Sequence, residues 1–333
     1  MNLHDKKVRL RAPICITWQI TNKCNLRCIH CLADSSQRKP AELSMEEIKG
    51  FLDDLSAMHV FYINLGGGEP LLHPNFFEIA DYAEEKGIYI QFSTNGTLID
   101  KAMAELIAER NLRVQVSLDG WNKKINDQIR GAGTFDKAIN AVRLLCEKHV
   151  TVSVNCVATK SNLEDLDNIY QLVTNLGAKL RLSRLRPSGR ATERWRELSP
   201  SQNQYVYLYK WLLDHPDVNT GDSFFFLSAL GEPLPGLSHC GAWDLTCSVD
   251  PEGNIYPCPF TITSSLLIGN IRNKPLSKWW QEIEKITQMS VAETDVCVTC
   301  ENYSKCHGGC RGASYLVYGD WHKPDPDCLR GIG

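Results

Sequence analysis

The chain has 333 residues, a formal net charge of −3 and an apolar fraction of 43%. This length suits one large domain with a smaller one, and the small net charge gives no indication of nucleic acid or an acidic membrane surface as a partner. No apolar run approaches the roughly 20 residues that span a bilayer, and residues 1–7 lack the apolar stretch of a signal peptide. We therefore expect a cytoplasmic protein that binds neither nucleic acid nor membrane.

The first 220 residues alternate short β-rich segments with amphipathic helical segments. We predict strands at 14–20, 60–65, 88–92, 113–118, 151–157 and 179–185, and helices at 44–58, 75–86, 101–109, 135–148, 163–176 and 201–213. Ser44 and Glu47 form a helix capping box. Asp119 and Gly120, after the fourth strand, are explained by turn chemistry as readily as by function. Six strand-then-helix units predict a parallel sheet covered by helices, either an open sheet or a full or partial barrel.

The character of the sequence changes near residue 221. From there to residue 333 the chain is loop-rich and contains eight of the fourteen cysteines. In a reducing cytoplasm, clustered cysteines bind metal more often than they form disulfides. We therefore predict two domains, 1–220 and 221–333, the second of them held together by metal rather than by a large apolar core.

Three cysteines directly follow the first predicted strand. Cys24, Cys28 and Cys31 have the spacing CxxxCxxC, and α/β sheets and barrels place their active sites at this end of a strand. Three soft thiolate ligands in one loop suit an iron–sulfur cluster, and in a cluster of four irons they leave one iron open for chemistry. A zinc site with His30 as its fourth ligand is the alternative.

Further candidate residues follow other strands. Gly67, Gly68 and Glu69 come after the second strand. Glycine permits close approach of the backbone to a ligand, and the carboxylate can accept a hydrogen bond from an ammonium group. Arg184 and Arg186 lie near the end of the sixth strand, and we hypothesise that one of them binds a carboxylate of a cofactor or substrate.

These motifs resemble the radical S-adenosylmethionine superfamily, which implies a partial (β/α)6 barrel. The resemblance implies that the three cysteines hold a 4Fe–4S cluster, whose open iron chelates the methionine group of S-adenosylmethionine. One electron from the cluster then cleaves the cofactor to methionine and a 5′-deoxyadenosyl radical, which abstracts hydrogen from the substrate. His30 stands where the family commonly has an aromatic residue. The implied cofactor-binding residues are Gly67, Gly68 and Glu69 for the amino group, and Ser117 and Arg130 for the ribose and the carboxylate.

The eight C-terminal cysteines make two sets of four, which by count suit two closed iron–sulfur clusters or two zinc sites. The region resembles the SPASM extension of radical S-adenosylmethionine enzymes, which implies two auxiliary 4Fe–4S clusters and three clusters in all. The implied ligands are Cys240, Cys247, Cys258 and Cys310 for the first auxiliary cluster, and Cys297, Cys300, Cys306 and Cys328 for the second. The remaining cysteines, Cys15, Cys146 and Cys156, are expected to pack in the core.

Segments 61–70, 184–190, 221–225 and 324–328 resemble a family of SPASM peptide maturases, and the similarity extends over nearly the whole chain. The resemblance implies a small ribosomal precursor peptide that ends in Val-Tyr. Its C-terminal tyrosine is oxidatively decarboxylated and then crosslinked to the valine through a carbon–carbon bond. Because no peptide-binding module precedes residue 14, we expect a separate carrier protein to present the peptide, and a flavodoxin or ferredoxin to supply electrons.

Two alternatives remain open for the function. Another SPASM enzyme, such as a thioether-forming peptide maturase or a sulfatase-activating enzyme, would share every cluster and differ in product. A non-enzymatic iron–sulfur electron-transfer protein would account for the cysteines, but not for an open three-thiol site beside Gly-Gly-Glu.

Overall fold

Six strands, each followed by at least one helix, form the centre of the protein. The structure is a computed structural model that describes residues 10–35, 41–220, 223–232, 234, 237, 240–282 and 295–329. The strands are β1 (Cys15–Thr21), β2 (Tyr62–Gly67), β3 (Tyr89–Thr94), β4 (Arg113–Ser117), β5 (Val152–Ala158) and β6 (Lys179–Arg184). The helices are α1 (Met45–Ala57), α2 (Phe76–Glu85), α3 (Lys101–Glu109), α4 (Lys123–Arg130), α5 (Thr134–Glu147), α6 (Leu166–Asn175), α7 (Ala191–Leu198) and α8 (Gln202–Asp214).

The six strands pair in the order β6-β5-β4-β3-β2-β1, and every neighbouring pair is parallel. The other edge of β1 pairs with a strand from the C-terminal region, so β1 has no free edge for β6 and the ring stays open. The predicted α/β class with a parallel sheet is therefore confirmed, in the form of a partial barrel.

Helix α1 shows how local sequence produces these elements. Ser44 accepts a hydrogen bond from the Glu47 N–H, and the Glu47 carboxylate accepts one from the Ser44 N–H, so the predicted capping box is confirmed. The buried face of α1 packs against β1, where the Phe51 and Trp18 rings meet edge to face at 5.2 Å. The apolar residues of α1, which recur every three or four positions, therefore cover the outer face of the sheet.

The C-terminal region continues this sheet rather than standing apart from it. Its elements are β7 (Thr246–Val249), β8 (Asn254–Tyr256), β9 (Gly269–Asn270), α9 (Leu276–Glu282), α10 (Asp295–Val298), α11 (Tyr303–Cys306) and α12 (Arg311–Tyr318). Strand β7 pairs in parallel with β1, and β8 and β9 follow in antiparallel order.

Val249, Ile255 and Leu276 are fully buried in the same apolar cluster as Ile16 of β1. Apolar packing therefore supports part of a region that was expected to depend chiefly on metal. The proposed division at residue 221 falls outside the described residues and stays a prediction. None of the helices within the described ranges has both the length and the apolar character that a bilayer span requires.

Candidate active site

The cysteine loop after β1 is fastened to the end of β2. Gly68 donates its backbone N–H to the Thr21 carbonyl at 2.8 Å, and Glu69 donates to the Lys23 carbonyl at 2.8 Å. A Cβ atom at Gly68 would stand 2.0 Å from the Lys23 carbonyl oxygen. Glycine is required here because the two segments approach too closely to admit a side chain.

Cys24, Cys28 and Cys31 lie in this loop as free thiols. Burial raises the pKa of the Cys24 thiol to about 11, and the charges of Glu69, Cys28 and Cys31 add to the rise. A hydrogen bond from the Leu26 N–H to the Cys24 sulfur acts in the opposite direction and lowers the pKa. The three sulfurs are thus near enough to influence one another. Thiols in such a setting ionise when a positively charged metal centre binds them, so this donor set fits an iron–sulfur cluster.

The Glu69 carboxylate is fully buried beside the cysteine loop. It accepts hydrogen bonds from the Thr94 hydroxyl at 2.8 Å, the Asn95 N–H at 2.8 Å and the Leu71 N–H at 3.3 Å. Burial raises the pKa of Glu69 to about 7, although these donors oppose the rise. A carboxylate has about four acceptor positions, so one remains for a further donor such as an ammonium group.

A second buried carboxylate, Asp119, joins the cysteine loop to α4. Its Oδ2 lies 2.7 Å from His30 Nε2 and 2.6 Å from Arg130 Nε, and its Oδ1 accepts from the Val157 N–H at 2.8 Å. Burial alone would raise the pKa of Asp119, but Arg130 and His30 hold it well below its usual range. Asp119 therefore holds both His30, which precedes Cys31, and Arg130 in place. The charge of Arg130 in turn opposes the rise that burial causes in the pKa of Cys28.

The ends of β3 and β4 complete this edge of the sheet. Asn95 donates through Nδ2 to Asn25 Oδ1 at 2.8 Å, and Asn25 donates to the Thr97 hydroxyl at 2.8 Å, so the cysteine loop is tied to the end of β3 as well. Ser117 is half-buried at the end of β4, opposite Asn155 of β5. The contacts of Asn25 are not predictable from the sequence, because they join residues about 70 positions apart.

Four C-terminal cysteines line one cavity together with Phe226 and Tyr303. They are the second predicted set, Cys297, Cys300, Cys306 and Cys328. The structure therefore brings this set together around a common space, as ligation of one cluster requires. Across the part of the chain that the structure describes, no three His, Cys, Asp or Glu side chains are close enough to bind a single metal ion.

The first predicted auxiliary set is divided by the structure. Burial and then the charge of Cys310 raise the pKa of both Cys240 and Cys258, while the charge of Arg186 lowers both. Arg186 also donates through Nη1 to the Cys310 sulfur at 3.5 Å, so its guanidinium contacts this set directly. Cys247 is fully buried on β7, within the apolar core. The structure does not bring Cys247 to the other three.

Arg184 is fully buried among carboxylates of the chain itself. Its guanidinium donates to Asp325 at 2.8 and 2.5 Å and to Asp327 at 3.0 and 2.6 Å, and Tyr205 donates its hydroxyl to Asp327 at 3.0 Å. Arg184 is therefore occupied by carboxylates of the chain itself, and the hypothesis that one of the two arginines binds a carboxylate of a cofactor or substrate stays a prediction for Arg186. Arg184 instead connects β6 to the segment that carries Cys328.

A partial barrel with a three-thiol loop at the end of its first strand, followed by a cysteine-rich region, defines a radical S-adenosylmethionine enzyme. The Radical SAM superfamily model matches residues 18–173, and the SPASM iron–sulfur cluster-binding domain matches residues 240–310. The chain is 42% identical to the mycofactocin maturase MftC of Mycolicibacterium smegmatis over 331 residues, which cover 97% of this chain and 84% of that protein. The chain belongs to the mycofactocin maturase family.

Two solved structures share the fold. The structure of anSMEcpe with bound AdoMet aligns with 94% of this chain over 93% of its own chain, with a TM-score of 0.72 and 21% identity. The structure of Streptococcus suis SuiB bound to the precursor peptide SuiA aligns with 96% of this chain over 76% of the SuiB chain, with a TM-score of 0.76 and 17% identity. Family and fold together confirm an enzyme that uses S-adenosylmethionine, a cofactor-binding iron–sulfur cluster and auxiliary clusters.

Proposed function

We propose that this enzyme oxidatively decarboxylates the C-terminal tyrosine of a small ribosomal precursor peptide and then crosslinks it to the preceding valine, in mycofactocin biosynthesis. The observation that carries the proposal is the 42% identity to a mycofactocin maturase along almost the entire chain. The structural likeness to SuiB, which was solved with a bound precursor peptide, supports a peptide as the substrate.

Cys24, Cys28 and Cys31 would hold the cofactor-binding cluster. When bound, the cluster and S-adenosylmethionine supply a carbon radical able to abstract hydrogen from the substrate. The chain's own contribution is to fix the loop, through the close approach at Gly68, and to hold the half-buried thiols beside the fully buried Glu69 carboxylate.

S-adenosylmethionine would be held by groups at the same edge of the sheet. Glu69 has an acceptor position left for the cofactor's ammonium group. Arg130 uses Nε on Asp119, and a guanidinium has five N–H donors, so others remain for a carboxylate. The proposed set is Gly67, Gly68, Glu69, Ser117 and Arg130.

The auxiliary cysteines would hold clusters that accept an electron from the substrate. In the proposed step, the tyrosine Cβ loses a hydrogen atom and the bond from Cα to the carboxylate carbon breaks. The products are CO2, one electron for an auxiliary cluster, and a Cα=Cβ double bond. Cys297, Cys300, Cys306 and Cys328 share one cavity, which supports a closed cluster suited to electron transfer.

Three further features belong to this proposal. A separate carrier protein presents the peptide, a flavodoxin or ferredoxin supplies the electrons, and the reaction takes place in the cytoplasm. The proposed cluster ligands are cysteine thiolates, and thiols persist in a reducing compartment, which supports the cytoplasm as the location.

The test uses the reconstituted enzyme with dithionite, S-adenosylmethionine, the carrier protein and a peptide ending in Val-Tyr. We expect 5′-deoxyadenosine to form and the peptide to lose the mass of formic acid. With deuterium on the tyrosine Cβ, the label should enter 5′-deoxyadenosine, whereas deuterium on Cα should not.

The same assay separates the alternative functions. An unchanged peptide, together with turnover of a cysteine-containing peptide or a sulfatase, would assign the chain to another SPASM activity. Fully loaded clusters without any 5′-deoxyadenosine would favour an electron-transfer protein and would contradict the proposal.

A further inference from the structure

Two cysteine-bearing segments of the C-terminal region pack directly against each other. Cys258 lies in the loop after β8, where its sulfur is 3.5 Å from the Thr261 hydroxyl. A Cβ atom at Gly312, in the first turn of α12, would stand 2.9 Å from the Thr261 methyl group and 3.8 Å from the Cys310 sulfur. The loop and the start of α12 thus place Cys258 and Cys310 side by side.

Cys240 belongs to the same group. Because β7 and β8 are antiparallel, the start of β7 and the end of β8 lie at the same end of this pair of strands. Cys240 precedes the turn into β7, in which Leu245 donates its N–H to the Gly241 carbonyl at 2.8 Å, and Cys258 follows β8, so both cysteines are at this end.

Arg186 completes this group from the end of the barrel. Its Nη1 donates to the Cys310 sulfur at 3.5 Å, and its guanidinium carbon lies 3.6 Å from the centre of the Phe260 ring. The side chain is buried, with 3% of the residue exposed. A buried positive charge among three thiols favours their ionised form and stabilises the reduced, more negative state of a bound cluster.

Cys247 lies elsewhere. It is on β7 opposite Ile16 of β1, and both residues are fully buried in the main apolar cluster. Two residues further along the same pair of strands, Val249 stands opposite Trp18, which packs on Phe51 of α1. Because alternate residues of a strand share a face, Cys247 is on the helix-covered face of the sheet. The neighbouring thiol that raises its pKa, after burial, is Cys15.

We propose that the first auxiliary iron–sulfur centre is held by three thiolates, Cys240, Cys258 and Cys310, with the Arg186 guanidinium beside them, and that Cys247 is a core residue. The inference rests on the proposed function, since it assigns ligands to one of its clusters. A centre of four irons then has one iron without a cysteine, and the arginine raises its reduction potential. Such a centre suits the role of electron acceptor from the substrate.

The ligand assignment is tested by iron and sulfide measurements on the full-length reconstituted enzyme. Cys247→Val keeps an apolar side chain in the core, and we expect it to retain the iron content of the unmodified enzyme. Cys240→Ala and Cys258→Ala should each lose about a third of the iron, which is one cluster of three. Cys156→Val, at a fully buried cysteine of β5, is the matched control for substitution in the core.

The iron content of the unmodified enzyme distinguishes two kinds of failure. If the unmodified enzyme takes up no clusters, the proposed function itself fails. If it is fully loaded and Cys247→Val loses a third of the iron while Cys156→Val loses none, the three-thiol assignment is overturned and Cys247 is a ligand. Cys247→Ser repeats the comparison if the valine variant does not fold.

The role of Arg186 is tested by a redox titration followed by electron paramagnetic resonance. Arg186→Gln removes the positive charge, and the midpoint potential of one auxiliary centre should fall while the iron content stays constant. Arg186→Lys keeps the charge and should restore most of the potential. Arg196→Gln, at an exposed arginine of α7, is the control. A midpoint potential that does not change in Arg186→Gln would contradict the role of the arginine.

Discussion

Gly68 is the residue on which the position of the cysteine loop depends most directly. In Gly68→Ala the new Cβ would overlap the Lys23 carbonyl, which lies 2.0 Å away and belongs to the rigid backbone. We expect the loop to move, the cofactor-binding cluster to be lost and the unfolding free energy to fall by about 1–3 kcal/mol. Iron determination and urea unfolding measure the two effects.

Gly50→Ala is the matched control for this prediction. Gly50 lies inside α1, and its added Cβ meets nothing within 4 Å. Here alanine should stabilise the protein by about 0.5–1 kcal/mol and leave the iron content unchanged, because it reduces the entropy of the unfolded chain. Equal iron contents in both variants would show that the loop does not need a glycine at position 68.

At the same scale, the sequence predicts the candidate site unevenly. Cys24, Cys28 and Cys31 are recognisable because their function requires a short fixed spacing within one loop. Asp119 is not, because an Asp-Gly pair also marks an ordinary turn. Its contacts with His30 and Arg130 exist only once β4, α4 and the loop are packed together.

At the scale of the element, the capped end of α1 makes a pH-dependent contact. Glu47 pairs with Arg272, with 2.5 Å between Oε1 and Nε. The pair lowers the pKa of Glu47 from 4.5 to about 2. Stabilisation by a carboxylate with a lowered pKa is complete above the unfolded value of 4.5 and is lost as the pH falls towards 2.

Glu47→Gln should therefore reduce the unfolding free energy by at most about 1 kcal/mol near neutral pH, because the pair is partly exposed and solvent screens it. Glutamine can still form the capping box, so the helix start is preserved. The difference from the unmodified protein should shrink as the pH is lowered from about 6 to about 3.5 in urea titrations. Glu46→Gln, at the exposed preceding residue, should show no such trend.

The predicted strands and helices of residues 1–220 agree with the structure to within a few residues, because hydrophobic periodicity is a local property. Helices α4 and α7 were not predicted, since their sequences, KKINDQIR and ATERWREL, are mostly polar and contain few apolar residues from which to recognise a helix. The position of β7 could not be predicted either. It pairs with β1, and the hydrogen bond from Ser248 to Thr17 spans 231 positions of sequence.

At the scale of the whole molecule, that pairing changes how the two predicted domains are related. One sheet and one apolar cluster extend from β6 to β9, so the cysteine loop that follows β1 and the Cys258 loop that follows β8 are anchored to the same sheet. Electron transfer between clusters depends on fixed separations. A continuous sheet provides them better than two domains joined by a flexible linker would.

The buried contact of Arg184 with Asp325 and Asp327 is a polar connection between β6 of this sheet and the C-terminal cysteine-bearing segment. Asp325 also accepts from the Cys310 N–H at 2.7 Å, so the contact extends to a cysteine of each proposed auxiliary set, Cys310 and the adjoining Cys328. Arg184→Met leaves two carboxylates buried without their partner, which should lower the unfolding free energy by about 3–5 kcal/mol. We expect the variant to lose auxiliary-cluster iron while the cofactor-binding cluster, whose loop does not contact Arg184, is retained.

Arg194→Met is the control for this prediction. Arg194 pairs with Glu197 on the exposed surface of α7, so solvent screens the pair and its loss should leave the unfolding free energy nearly unchanged. Arg184→Lys should recover only part of the loss, since lysine keeps the charge but lacks the planar group that binds two carboxylates at once. Calorimetry and iron determination on the same samples measure stability and cluster content together. If Arg184→Met retained full auxiliary iron despite a large loss of stability, the contact would stabilise the fold without positioning the clusters.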